Sequence, residues 1–142
     1  MNDTGATKAE RGLELARWIL KVGVGAGSFL AGLDKYFDVL ATWSMYMAPW
    51  ASKLLPIPET SFFHVVGAFE MAAGLLVLTR WTRLGAYVLS AWLLAISIQL
   101  ATSGMFYDLA LRDVEMAMGA FALAKLTEWH ASRARPARPE GA

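Results

Sequence analysis

The stretch FYDLALRDVEMA, residues 106–117, decides the fold. It opens the last long apolar run of the chain, yet it carries Asp108, Arg112, Asp113 and Glu115. Three cleaner or less interrupted runs precede it, at about 17–38, 60–79 and 84–103. If the charges disqualify the last run, about 106–126, the chain has three spans; if they belong to it, the chain has four.

The chain has 142 residues, the size of one domain, with 56% hydrophobic residues, 18% charged residues and a mean hydropathy of +0.40. That balance lies on the apolar side of soluble proteins and predicts an integral membrane protein. There is no cysteine, which excludes a disulfide framework, a thiolate metal site, a CxxC redox motif and a cysteine nucleophile for this chain acting alone. The formal net charge is +1, and the basic residues sit at the chain ends and in one loop, where they do not form an aromatic-interleaved patch of the kind that tracks nucleic acid. Nucleic acid is therefore not an expected partner. The segment MNDTGATKAERGLELAR runs into WILKVGVGAGSFLAGL without a small-residue cleavage site, so the first apolar run is read as a retained span. No phosphate-binding glycine loop or HExxH motif occurs, and the histidines are only His64 and His130. No metal site or intrinsic cofactor is predicted.

A bilayer core needs about 20 mostly apolar residues per helix, and each of the four runs is long enough. Between the first two, residues 40–58 hold Trp43, Tyr46 and Trp50 with Pro49, Pro56 and Pro58, a pattern too broken to span and suited to the headgroup zone. Orientation follows from Lys and Arg, which accumulate on cytoplasmic flanks. Lys8, Arg11, Arg17 and Lys21 flank the first span, Arg80 and Arg83 occupy the RWTR turn, and Lys125, Arg133, Arg135 and Arg138 follow the last. The other two loops hold little beyond Lys35 and Lys53. Both termini are thus expected in the cytoplasm, which requires an even number of spans and agrees with four. The expectation is an all-α, antiparallel four-helix bundle over 17–128, with a cytoplasmic segment at 1–16 and a basic, disordered tail at 129–142. Gly23, Gly27 and Ala31 in the first span, and Gly67 and Gly74 in the second, are the small residues that would let backbones approach.

Charge inside a span costs at least ~2.5–3.5 kcal/mol per residue on insertion scales, so each such residue is a candidate for function. With the orientation above, Asp34 and Lys35 lie toward the outer end of the first span, and His64 and Glu70 lie in the outer half of the second. Gln99 and Ser103 lie near the outer mouth of the third. Tyr107, Asp108, Arg112, Asp113 and Glu115 occupy the outer half of the fourth, so the polar residues cluster in one half. Asp108, Arg112 and Glu115 share one helix face, and Arg112 can pair with either carboxylate. Two cations, Lys35 and Arg112, face five carboxylates, Asp34, Glu70, Asp108, Asp113 and Glu115. In low dielectric that imbalance predicts a retained proton, first at Glu70. Equally, the charges could pair across helices and serve only registry.

Four stretches, GLDKYFDVL followed by W..Y..P, GAFEMAAGLLV, RLGAYVLSAWLLAI and YDLALRDVEMAMGAFALAKL, together resemble the DoxX-like family of small four-helix bacterial membrane proteins. The likeness covers roughly residues 15–128. Its most specific elements are Gly32 with Lys35, Gly67 with Glu70 and Gly74, and an Ala-x-x-Arg-Asp-like opening of the last span, here Leu109 to Asp113. The resemblance implies a multi-pass protein of the bacterial cytoplasmic membrane. It also implies work near the quinone pool, since founding members are named for a subunit of a thiosulfate:quinone oxidoreductase and others are membrane partners in redox-stress or metalloprotein-maturation systems.

The resulting expectation is a membrane subunit of a redox system that binds a quinone or similar apolar redox molecule. Glu70 or Asp108 would accept a proton, and Arg112 and Lys35 would steady the carboxylates or a developing oxyanion. His64 or Tyr107 would hydrogen-bond a carbonyl, with Asp34, Gln99, Asp113 and Glu115 completing the ligand-binding set. The partners would be the bilayer and a redox protein that takes the electrons, and self-association is open to the chain. The alternative is a non-catalytic anchor or assembly subunit, or a pocket for a lipid-like ligand. A proton or cation pathway ranks below both, because no polar trail reaches the cytoplasmic side.

Overall fold

The computed structural model describes residues 3–134, with side chains from residue 7 onward. Those residues are all-helical, with no strand among them: α1 (Asp3–Asp34), a 3₁₀ turn (Trp43–Tyr46), α2 (Pro49–Leu54), α3 (Glu59–Leu78), α4 (Thr82–Thr102) and α5 (Tyr107–Arg133). Two helices, α3 and α4, are long and apolar enough to cross a membrane, and only 33% of each apolar window is buried. Most of that apolar surface faces outward.

The four long helices pack in a ring, α1 on α3, α3 on α4, α4 on α5 and α5 back on α1. Each neighbouring pair is antiparallel: Gly25 meets Gly74 while Gly32 meets Gly67, and Ser90 meets Ala117 while Ser97 meets Ala110. The α1–α3 crossing is a backbone contact. A methyl group at Gly32 would sit 2.5 Å from the Gly67 carbonyl oxygen, and one at Gly74 would sit 2.6 Å from that of Gly25. The pairs recur at seven-residue spacing on both helices, so two turns of each backbone stay in contact. Gly23 and Gly27, expected at this interface, instead have open space where a side chain would be. They lie on the opposite side of α1, two residues or about 200° from the contact stripe.

The α4–α5 pair is held differently. Ser90 Oγ donates to the Ala117 carbonyl at 2.9 Å and Ser97 Oγ to that of Ala110 at 2.7 Å, both buried. Small residues on α5, including Ala110, Ala117, Ala120 and Ala124, form its buried face. Near the α3–α4 turn the ring is filled by Ala73, Val77, Ala86, Leu89, Ala120, Leu123 and Ala124. Toward the other end the packing opens.

The helix bounds differ from expectation at the chain ends. The first helix begins at Asp3 rather than near 17, because residues 3–16 hold no proline and are rich in Ala, Leu, Lys, Arg and Glu, all good helix formers. It ends at Asp34 rather than 38, where the Asp34 carboxylate accepts the backbone N–H groups of Val39 and Leu40 and Asp38 takes a positive φ of 50°. The last helix runs on to Arg133, so residues 129–133 are helical rather than tail. There Arg133 pairs with Glu10 at 2.9 Å and His130 reaches Glu14 at 3.3 Å, fastening α5 to α1. The remainder of the expected tail, 135–142, lies outside the described residues.

Candidate functional site

The open end of the ring encloses a cavity of about 310 Å³. Its walls are mostly apolar and aromatic, including Phe62, Phe63, Val66, Leu93 and Ile96. Trp43, Tyr46, Met47 and Ala51, from the segment between α1 and α3, also line it. That segment is tethered to α4: Gln99 Nε2 donates to the Tyr46 carbonyl at 3.0 Å, and Trp50 Nε1 donates to Thr102 Oγ1 at 3.2 Å. Proline at the start of α2 and before α3 keeps the segment from continuing as one helix.

One polar knot is built into the cavity wall. Lys35 Nζ lies 2.6 Å from Glu70 Oε2, and both residues are buried, 7% and 6% exposed. The other carboxylate oxygen, Oε1, accepts the indole N–H of Trp92 at 3.2 Å. The Lys35 ammonium also sits 3.5 Å from the ring centre of Trp43, whose own indole N–H donates to Asp34 Oδ2 at 2.8 Å. Every charged atom of the knot therefore has a partner from another element, as a buried ion pair requires. The pair joins α1 to α3, Trp92 adds α4, and Trp43 adds the connecting segment.

Five of the residues singled out from sequence line the cavity: Lys35, Glu70, Gln99, Arg112 and Asp113. The other five do not. Asp34 is spent on the turn after α1, accepting from Val39, Leu40 and Trp43. His64 stacks face to face on Tyr36 at 4.6 Å, and its carbonyl oxygen accepts the Tyr36 hydroxyl. Tyr107, Asp108 and Glu115 are exposed. Asp108 and Glu115 each lie two residues from a buried alanine, Ala110 or Ala117, hence about 200° around the helix and outward. Asp113, four residues from Ala117, lies only about 40° from the buried face.

The imbalance of two cations against five carboxylates is therefore not assembled. The cavity holds two of each, Lys35 and Arg112 against Glu70 and Asp113. Arg112 forms no ion pair among the described residues, so its anticipated pairing with Asp108 or Glu115 is not made.

Other polar residues that line the cavity fall outside that set, Trp92, Trp43 and Ser28 among them. Trp92 was legible in principle, because the tight turn at 79–81 sets α4 antiparallel to α3 and brings residue 92 opposite residue 70. Trp43 has the sequence features of a headgroup anchor, and nothing in its context marks it as the cover of an ammonium. Ser28, 8% exposed, lines the cavity without a hydrogen-bond partner among the described residues; it looks like any small residue in a glycine-rich run.

At the opposite end cations outnumber the carboxylates Glu10, Glu14 and Glu128. Lys21 Nζ donates to the Thr79 carbonyl at 3.0 Å, beside Arg80, and Arg17 and Lys21 both lie over the Trp18 ring. Arg133 lies over Trp129 in the same way, 4.7 Å from the ring centre. No protein-family model, curated protein or solved structure matches the chain.

Proposed function

We propose that the chain is a DoxX-like four-helix membrane bundle in the bacterial cytoplasmic membrane, with both termini in the cytoplasm. In this reading it is the membrane subunit of a redox system, holding the head ring of a quinone or similar apolar redox molecule in the cavity. Several observations support the membrane reading. Leu30, Val65, Ile98 and Met118, one on each long helix, are all more than half exposed, at 56–67%, an arrangement that suits lipid and not water. The two apolar helices and the cations gathered at one end, next to Trp18, Trp81 and Trp129, agree with a basic cytoplasmic face.

The cavity carries the ligand reading. At about 310 Å³ it stands at the low end of small-molecule sites, with apolar walls and a few convergent polar groups. A flat ring fits that volume, while a long hydrocarbon tail must leave it and lie against lipid. Arg112 offers hydrogen bonds to ring oxygens, and electrons would pass to a partner protein. The test is to extract the protein from membranes in mild detergent and identify bound small molecules by mass spectrometry. A near-stoichiometric quinone, lost in Arg112→Ala while the protein stays monodisperse, supports the proposal. A purified, folded protein free of any quinone, and unable to bind one when it is added, refutes it.

The fully partnered Lys35–Glu70 pair favours a second reading, in which the polar residues serve helix registry and the protein is an anchor or assembly subunit. That reading expects substitutions at Glu70 to damage folding and expects no loss of ligand from Arg112→Ala.

A further inference from the structure

Sorting the polar groups around the cavity by whether they already have partners separates structure from recognition. Lys35, Glu70 and the Trp92 indole satisfy one another, the Trp43 indole is held by Asp34, and the Gln99 amide N–H is taken by Tyr46. Breaking any of these to reach a ligand would strand a buried group. Four polar lining side chains make no hydrogen bond or ion pair among the described residues: the Ser28 and Tyr46 hydroxyls, the Arg112 guanidinium and the Asp113 carboxyl. These are the groups free to meet an occupant without cost to the fold.

Their chemistries differ. Arg112 only donates, so it can bind the oxygen of a carbonyl or of a hydroxyl equally well. The Ser28 and Tyr46 hydroxyls donate or accept and adapt to either. An ionised Asp113 only accepts, so it is satisfied by a hydroxyl and repelled by the lone pairs of a carbonyl. We infer that Asp113 is the group that distinguishes the two redox forms of the ligand, accepting a hydrogen bond from a ring hydroxyl and so favouring the reduced, quinol form. This rests on the quinone reading above. It moves the ligand-facing carboxylate from Glu70 to Asp113 and makes Glu70 a positioning residue.

Hydrogen bonds to a charged group contribute enough for roughly a tenfold or greater preference. The measurement is isothermal titration of the full chain in detergent, without oxygen, using a short-tailed benzoquinone and its hydroquinone as probes. Wild-type protein should bind the hydroquinone at least about tenfold more tightly. Asp113→Asn, whose amide both donates and accepts, should bring the two affinities together, and Asp113→Glu should restore the preference. Arg112→Ala should weaken both forms alike. If Asp113→Asn fails to fold, Asp113→Ser is read in the same way. Binding of both probes with a ratio unchanged in Asp113→Asn or Asp113→Ser overturns this inference and leaves the quinone site standing. Binding of neither probe to the wild type overturns the quinone site itself, and this inference with it.

Discussion

Replacing Glu70 with glutamine leaves the Lys35 ammonium, 7% exposed, without its counter-charge. The substitution is nearly isosteric, and the new amide oxygen can still accept the Trp92 indole, so the change isolates the charge. Removing one partner of a buried ion pair costs about 3–5 kcal/mol. The Trp43 ring 3.5 Å from the ammonium keeps part of the stabilisation, up to ~2 kcal/mol for a desolvated cation over an aromatic face. We therefore expect the lower part of that range, ~3 kcal/mol, which is about a hundredfold in the folding equilibrium. Glu70→Leu should cost a further ~1–3 kcal/mol, because the Trp92 indole loses its acceptor as well. The double variant Lys35→Met, Glu70→Leu removes both charges and should recover most of the loss of charge pairing, since apolar replacements of buried pairs are often neutral or better. Equilibrium unfolding in mixed detergent, followed by near-ultraviolet circular dichroism, gives the three values. A loss below ~1 kcal/mol for Glu70→Gln, or a double variant no better than Glu70→Leu alone, would refute the role given to the pair.

The helix crossing, the connecting segment and the basic end each give a further expectation. Gly32→Ala and Gly67→Ala push a methyl group against backbone and should destabilise by ~1–3 kcal/mol, whereas Gly23→Ala, facing open space, should be neutral or stabilising by up to ~1 kcal/mol. Equal losses at all three in the same unfolding assay would mean that α1 presents a different face to α3. Asp34→Ala removes the acceptor shared by Val39, Leu40 and the Trp43 indole, so limited proteolysis should cut within residues 39–58 several-fold faster than in wild type; an unchanged rate contradicts the anchoring. Acid should also weaken the fastening at the basic end. A hydrogen bond from Arg17 holds the Glu14 carboxyl below its ordinary value of 4.5, and one from Lys125 does the same for Glu128. Each lowered carboxylate stabilises the fold above 4.5, and its contribution is lost as pH falls through the folded-state value. The melting temperature should be flat from pH 7 to 5 and drop below 4.5, with a smaller drop in Glu14→Gln; an equal drop in that variant would exclude Glu14 as a contributor.

Periodicity and charge made the helices legible. Residues 60–79 and 84–103 are mostly apolar and bounded by proline, charge and a tight turn, so α3 and α4 differ from expectation by two residues or fewer. The first and last helices ran longer than expected because composition marks where lipid-compatible sequence stops, not where helical hydrogen bonding stops. A helix continues into water as long as its residues favour it and a partner covers one side. Half of the candidate site was legible in the same sense. Cost alone picks out Lys35, Glu70, Arg112 and Asp113 as charges that need a reason to be in an apolar run, but it picks out Asp34, Asp108 and Glu115 equally.

Residue type and spacing by themselves thus determine four long helical segments, their antiparallel order and the gathering of polar residues toward one end. Which polar residues share a space was decided only by tertiary packing. Small residues choose the contact face of each helix: Gly25 and Gly32 press against Gly74 and Gly67, and Ala110 and Ala117 accept the serines of α4. That choice turns Asp108 and Glu115 outward, turns Asp113 inward and brings Trp92 to Glu70. The charges of FYDLALRDVEMA, alike in sequence, have different fates because a turn of about 100° per residue separates them and one packed face sorts them.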